Sequence, residues 1–203
     1  MASLGGVAPG RLGRVRWRRF AITMIPAIGL AVMLMLLSTQ AVLAVSISIS
    51  GEAFTVTAAL LKGEGFEQFP VVDHSAGNNL PGGSRHVSLE ATAIRSAKIS
   101  HLCQSVRVLG LTMVITAGNS TPVSATDLVV DADRFSGNAT FTHLVQGQDA
   151  SSLNQVPGVR GPAGAFALQA SKVTITHLRQ HAYATTAGTF TLPGFSLHFG
   201  GGC

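Results

Sequence analysis

Residues 45–59 read VSISISGEAFTVTAA, and this stretch decides the fold class. Polar and apolar residues alternate along it, which is the period of a strand that buries one face and exposes the other. Glycine and proline clusters such as 77–83 then separate further stretches of similar alternation. These stretches are 86–93, 97–108, 111–118, 126–132, 139–145, 171–185 and 190–199. No stretch after residue 45 keeps a helical period over three turns, so the pattern predicts an antiparallel all-β domain.

A short motif recurs within these predicted strands: an apolar residue followed by Ser or Thr, then His, then Leu. It appears as Ile99-Ser100-His101-Leu102, Phe141-Thr142-His143-Leu144 and Ile175-Thr176-His177-Leu178. Strand–turn–strand units of this kind cannot each bury their own apolar face, so they assemble into a shared sheet. A sandwich-like and a solenoid-like arrangement of imperfect hairpin repeats both remain compatible with the pattern.

The N-terminus has a different composition. Five arginines lie within residues 1–19, and residues 20–51 then carry no charge. A basic segment followed by an apolar one and by small residues is typical of a secretory signal, with cleavage predicted after Ala44. The same residues, 20–44, are long enough to cross a hydrocarbon core of ~30 Å as an uncleaved apolar helix.

Both interpretations divide the chain into a basic cytoplasmic segment (1–19), a signal peptide or transmembrane anchor (20–44) and an exported all-β domain (45–203). Arginines hold the N-terminus on the cytoplasmic side of the membrane. We therefore expect a cell-membrane protein with its C-terminal domain extracellular, or a secreted protein if the signal is cleaved. The membrane is the first predicted partner, through the N-terminal segment.

The net charge of +5 does not indicate a nucleic-acid partner. The chain has 14 Lys and Arg residues and nine Asp and Glu residues, and five of the arginines precede residue 20. The remaining basic residues only balance the acidic ones and form no cluster. A nucleic-acid binder needs clustered cations on its folded domain to neutralise phosphates, so no nucleic-acid partner is expected.

The two cysteines, Cys103 and Cys203, are predicted to form a disulfide, because an even pair in an oxidising compartment is most simply bridged. Gly200, Gly201 and Gly202 give the C-terminus the freedom to reach a partner. An intermolecular bridge and free thiols are the alternatives.

The motif histidines His101, His143 and His177 are the candidates for a metal site, since three imidazoles on neighbouring strands can hold zinc. No carboxylate is spaced beside them as a further ligand, and Cys103 is better used in the bridge. They are therefore interpreted as repeat positions in a polar row, and neither a metal nor a cofactor is expected.

Residues 73–75 (Asp-His-Ser) and 82–86 (Gly-Gly-Ser-Arg-His) contain residue types of serine hydrolases. A hydrolase nucleophile needs a sharp, rigid turn, and no Gly-x-Ser-x-Gly occurs in the sequence. The pattern over 70–86 instead predicts a long loop. No catalytic residue is assigned, and Ser75 and Ser84 are the residues to replace in a test for hydrolysis.

Four stretches carry a resemblance that spans nearly the whole chain: the arginine-rich RVRWRRF start, VSISISGEAFTV at 45–56, AKISHLCQS at 97–105 and ATTAGTFTLPGFSL at 184–197. They resemble a family of exported proteins of unknown function from Streptomyces-type actinobacteria, whose members are sometimes labelled "cholesterol esterase". The resemblance implies an exported location and adds no mechanism. The nucleophile motif that an esterase needs is missing here.

Two function classes follow. The first is a non-catalytic cell-envelope protein that binds lipid or scaffolds a surface assembly, because a curled sheet with an apolar inner face can hold a lipid tail. Its partners would be lipid, another envelope protein, or further copies of the chain. The second class is a lipid-ester hydrolase.

Overall fold

A computed structural model of the protein describes residues 52–75 and 85–203, along with Trp17 and Met24. Apart from Met24, the predicted signal or anchor at 20–44 lies outside the described residues, as does its cleavage position Ala44. Within the described part, no helix has both the length and the apolar character needed to cross a bilayer.

The described residues form nine strands and one short 3₁₀ turn, and every strand pairing is antiparallel. The prediction of an all-β antiparallel fold is therefore confirmed. The elements are β1 (Phe54–Ser75), β2 (Arg85–Ser100), β3 (Leu102–Val108), β4 (Leu111–Ala117), β5 (Val123–Thr142), β6 (Val145–Asp149), η1 (Ala150–Ser152), β7 (Phe166–Thr186), β8 (Thr189–Thr191) and β9 (Ser196–Phe199).

The predicted loop over residues 70–86 is wrong at both ends. Strand β1 continues to Ser75, β2 begins at Arg85, and these two residues lie opposite each other in the β1–β2 ladder. Cross-strand pairing extends both strands beyond the point at which their sequence pattern fades. The remaining residues of that segment, Ser84 among them, lie outside the described residues.

A single sheet closes on itself. Strand β1 pairs with β2, β2 with β5, β5 with β7, and β7 returns to β1 through Phe54↔Ala182 and its neighbours. We call these four strands the ring. The order of the whole sheet is β6-β7-β5-β2-β1-β3-β4-β9, with β8 beside β5. The expected sandwich-like or solenoid-like arrangement is therefore corrected to one closed sheet.

Each copy of the His motif places a left-handed backbone residue within or next to a strand: His177 inside β7, His101 between β2 and β3, and His143 just after β5. His101, His143 and His177 have positive φ angles of 52°, 51° and 54°. A left-handed residue acts as a local bulge, so that two apolar residues three positions apart both face inward. Ile175 and Leu178 illustrate this, since both are buried on either side of His177. His is among the few non-glycine residues that tolerate this conformation.

The sequence motif missed two further bulges of the same kind. Asp127 has a φ of 48° between the buried Ala125 and Leu128, and Gly65 has a φ of 66° just before the buried Phe66. Bulges bend a strand and increase its twist. Because β1, β5 and β7 are 20 to 22 residues long, repeated bending makes them coil into a ring instead of lying in a flat layer.

The interior of the ring is mainly apolar and almost full. Its cavity has a volume of about 30 Å³, which is room for a water-sized group. Its apolar lining comes from all four ring strands and the start of β3: Val56, Leu61, Ile94, Ile99, Leu102, Leu128, Val130, Phe135, Ile175 and Leu178. The inner face of the curled sheet is thus occupied by its own side chains.

The outer face of the β1–β2 hairpin is covered by the segment between β6 and β7. Phe69 and Ala91 pack there against Leu153, forming a second, smaller core. The buried carboxylate of Glu67 fastens this segment, because its Oε1 accepts hydrogen bonds from the backbone N–H groups of Gln155 and Val156. Burial raises the pKa of Glu67, and the two backbone donors only partly oppose that rise.

Candidate functional site

One apolar surface of the described sheet is left uncovered. Beyond the ring, β3, β4 and β9 continue as a three-stranded extension. Residues directly opposite in a ladder share a face, and Val106 pairs with Met113, which pairs with Phe199. We define the open face as the apolar side of this extension together with the first residue of β1: Phe54, Val106, Val108, Leu111, Met113, Ile115, Leu197 and Phe199.

The open face continues the inner face of the ring. Gln104 lines the interior cavity and lies two residues before Val106 on the same side of β3. Across the ladder it pairs with Val56, which is buried inside the ring. The apolar inner surface therefore runs outward along β3, without a change of side, from a closed region to an open one.

Exposure rises along this surface with distance from the ring. Leu102 is buried, Val106 is half-buried and Val108 is exposed. At the outer edge of the extension, Phe199 keeps 61% of its surface exposed. A contiguous exposed apolar patch of this kind is uncommon on a soluble protein and marks a contact with a partner, a ligand or a membrane.

A groove of about 260 Å³ lies where the open face meets the ring. Its volume is close to the lower end of the range of small-molecule sites, about 300 Å³. Apolar side chains dominate the lining, and polar groups stand among them. The lining residues are Glu52, Phe54, Gln104, Ser105, Val106, Met113, Ile115 and Tyr183.

A polar cluster stands beside the groove. His181 Nδ1 lies 2.7 Å from Asp133 Oδ1, and the rings of His181 and Tyr183 meet edge to face at 5.7 Å. Desolvation, the charge of Asp133 and a hydrogen bond to that carboxylate raise the pKa of Tyr183. Tyr183 therefore remains a neutral phenol at physiological pH.

The opposite side of the extension is covered by the C-terminal tail. Cys103 and Cys203 form the disulfide expected from the sequence, with their Cα atoms 5.9 Å apart. The tail is held further by Gly200 N–H, which donates to the Thr112 carbonyl, and by Cys203 N–H, which donates to Ser105 Oγ. The tail thus covers one side of the extension, while no described element lies over the open face on the other side.

The structure does not bring the three motif histidines together as a metal site. His143 Nδ1 lies 3.0 Å from Ser171 Oγ, at the end of β5. His101 and His177 are exposed bulge residues. In residues 52–75 and 85–203, no group of three or more His, Cys, Asp or Glu side chains is arranged to hold a metal ion.

Of the two serines considered for hydrolysis, Ser84 lies outside the described residues, and Ser75 is placed at the far end of β1 from the Asp133–His181 pair. His181 lies opposite Thr55 at the start of β1, whereas Ser75 is the last residue of that 22-residue strand. Sequence reasoning missed both this pair and Glu67. The Asp133–His181 pair depends on the register between β5 and β7, for which the sequence carries no local signal.

Comparison with known proteins gives a family and no function. The model of a family of unknown function, DUF6230, matches residues 50–203, which include every described strand. Neither a curated protein nor a solved structure matches the chain. The expectation of a family of unknown function is supported, whereas the match carries neither a source organism nor an esterase label.

Proposed function

We propose that this chain, which belongs to the DUF6230 family of unknown function, is a non-catalytic cell-envelope protein that binds lipid at its open face. The N-terminal residues 1–44 deliver the β domain to the outer side of the membrane, where it stays tethered or is released. The observation that carries the proposal is the uncovered apolar surface that leads into a groove of about 260 Å³.

The ring interior is not the binding site. A cavity of about 30 Å³ is ten times smaller than the smallest typical ligand pocket, of about 300 Å³. The idea that the curled sheet encloses a lipid tail is therefore replaced by binding on its outward continuation. There the same apolar lining is accessible without unpacking the core.

The chemistry of the groove suits an amphiphile. Phe54, Val106 and Met113 provide apolar contacts for an acyl chain, and Glu52 and Tyr183 place polar atoms beside them. Covering an exposed Leu or Phe side chain gains about 1.5–3 kcal/mol. Several such side chains on one face give an apolar occupant a substantial driving force.

The proposal is tested by photolabelling the full-length protein in phospholipid vesicles that contain a lipid with a photoreactive acyl chain. We expect label on the groove residues Phe54, Val106 and Met113 themselves, assigned by fragmentation of the labelled peptides, and Met113→Glu should abolish it. Val72→Glu is the matched control, because Val72 is 58% exposed on β1, far from the groove. Unfolding curves of both variants verify that they fold.

Label that is spread evenly over the domain, or that survives Met113→Glu in a folded protein, would overturn lipid binding at this face. Milder substitution with Met113→Thr keeps the test decisive if the glutamate variant does not fold.

A lipid-ester hydrolase is the second candidate, and the Asp133–His181 pair, which reaches the groove only through Tyr183, favours it, since a carboxylate that orients a histidine is part of a hydrolytic triad. The pair also has a structural explanation, because it joins β5 to β7 beside the bulges at Asp131 to Arg134. We expect short and long acyl esters to be hydrolysed no faster with the protein than in buffer. Hydrolysis that disappears in His181→Asn would establish the enzyme instead.

A further inference from the structure

The tip of the β3–β4 hairpin has an unusual residue at its turn. Val108 pairs with Leu111, so Leu109 and Gly110 form a two-residue turn. Their φ angles are 51° and 82°, which are those of a type I′ turn. The first position of that turn is normally Asn, Asp or Gly, because a left-handed conformation is unfavourable for a bulky side chain. Leu109 occupies it with 99% of its surface exposed.

Leu109 is thus unfavourable in this turn conformation, and the exposure of its apolar side chain to solvent is unfavourable as well. Its neighbours on the tip, Val108 and Leu111, are exposed as well. The described turn after β4 offers a contrast within the same sheet, since residues 118–121 there are Gly-Asn-Ser-Thr. Strain and apolar exposure at one position are the kind of outlier from which a functional role is inferred.

The register shows which way the tip points. Phe54 pairs with Val106, and β1 and β3 are antiparallel. Residues 107–110 therefore extend past the start of β1, in the direction from which the chain enters the domain. Ten residues lead from Ala44 to Phe54, and they reach at most about 35 Å when fully extended. A domain tethered through residues 20–44 accordingly keeps this end within reach of the bilayer.

We propose that the hairpin tip Val108–Leu111 inserts into the outer leaflet of the membrane, with Leu109 as its deepest side chain. This inference rests on the proposed lipid binding and names the element that enters the bilayer. Arg107 is exposed next to the tip. Its guanidinium meets lipid phosphates at the level of the headgroups while its aliphatic stem lies along the apolar surface.

The test uses a single tryptophan as a depth probe in the full-length protein. Trp17 is replaced by Phe, and a tryptophan is placed either at position 109 or at position 119, in the polar turn. The proteins are incorporated into vesicles whose acyl chains carry bromine, which quenches tryptophan on contact. We expect strong quenching and a blue-shifted emission in Leu109→Trp, and emission unchanged from bromine-free vesicles in Asn119→Trp.

A second reporter separates insertion from folding. Leu111→Trp should also be quenched, and adding Leu109→Asn should reduce its quenching several-fold while the protein unfolds at the same or a higher temperature, because Asn suits the turn. Absence of quenching in Leu109→Trp, or equal quenching in Leu109→Trp and Asn119→Trp, overturns insertion of the tip.

The two lipid experiments fail independently. Photolabel in the groove together with an unquenched tryptophan at position 109 rejects insertion of the tip alone. Quenching at position 109 without photolabel in the groove rejects groove binding and leaves insertion standing.

Discussion

The ring and the open face are built on the same strand alternation, yet their apolar residues end in opposite environments. Ile175 in the ring has no exposed surface, whereas Phe199 on the open face keeps more than half of its own. The difference arises from pairing, because β7 returns to β1 around the ring, while no described element lies over the open face. Strand alternation therefore selects which side chains share a face, and closure of the sheet decides whether that face is buried.

The largest expected effect comes from cutting the disulfide that ties the C-terminal tail to the extension. Cys203→Ser removes the bridge that holds the tail against β3, and the bridge closes a loop with a sequence separation of 100 residues. We expect the free energy of unfolding to fall by about 4–5 kcal/mol, because the chain-entropy model gives about 4.7 kcal/mol for a loop of that size. Urea unfolding of the full chain in detergent measures it.

Hydrogen exchange of Cys203→Ser identifies the strands that lose stability when the bridge is removed. Without the bridge, the amides of β9 should exchange faster, while those of β5 in the ring should be little affected below the unfolding transition. Cys103→Ser serves as the matched variant and should give the same loss. Two cysteine variants that differ widely in stability would mean that the bridge is not the source of the effect.

The next effect compares one side chain from each region. Ile175→Ala should destabilise the protein by about 3 kcal/mol, because it leaves a cavity in the filled ring. Phe199→Ala should cost no more than about 0.5 kcal/mol, because 61% of the surface of Phe199 is already exposed to solvent. If urea unfolding shows the same loss of unfolding free energy for both variants, the proposed difference in burial between the ring and the open face is contradicted.

A smaller effect tests how the strands curve into a ring. His177→Val places a β-branched side chain at a φ of 54° and should cost about 1–2 kcal/mol. His177→Asn should be nearly neutral, because Asn tolerates that conformation. Melting temperatures measured with and without added zinc complete the test. A zinc-dependent rise that His177→Asn abolishes would restore the metal interpretation.

The smallest effect is a pH dependence from the buried carboxyl of Glu67. Because burial raises its pKa above the ordinary value of 4.5, the folded state holds this proton more tightly than the unfolded state. The contribution of Glu67 to stability is therefore full below pH 4.5 and is lost as the pH rises through its higher folded-state pKa. Glu67→Gln should remove this part of the slope in unfolding free energy above pH 4.5. A slope unchanged in that variant would contradict the assignment.

Much of the fold class could be predicted from the sequence because strand alternation and cysteine pairing are local or combinatorial signals. The ring could not, since Ala58 meets Leu178 far along the chain and no residue pattern specifies that register. The His motif was visible as a repeat, but its meaning lies in a backbone angle. Glu67 resembles an exposed strand residue until the segment after η1 folds over it.

The sequence predicted the kind of site, an apolar surface for lipid, but not its location in the fold. An apolar inner face was expected as a lipid surface, yet the ring fills its own interior and leaves only the outward continuation available. Leu109 gave no turn signal, because Leu-Gly is an atypical pair for a type I′ turn.

Hydrogen exchange of the full-length protein, with and without phospholipid vesicles, tests the central claim most directly. If the open face is where lipid binds, vesicles should slow exchange at residues 106–115 and 196–199 and leave the ring residues 123–132 unchanged. Exchange that is unaffected in the extension, or slowed equally in the ring, would contradict the account.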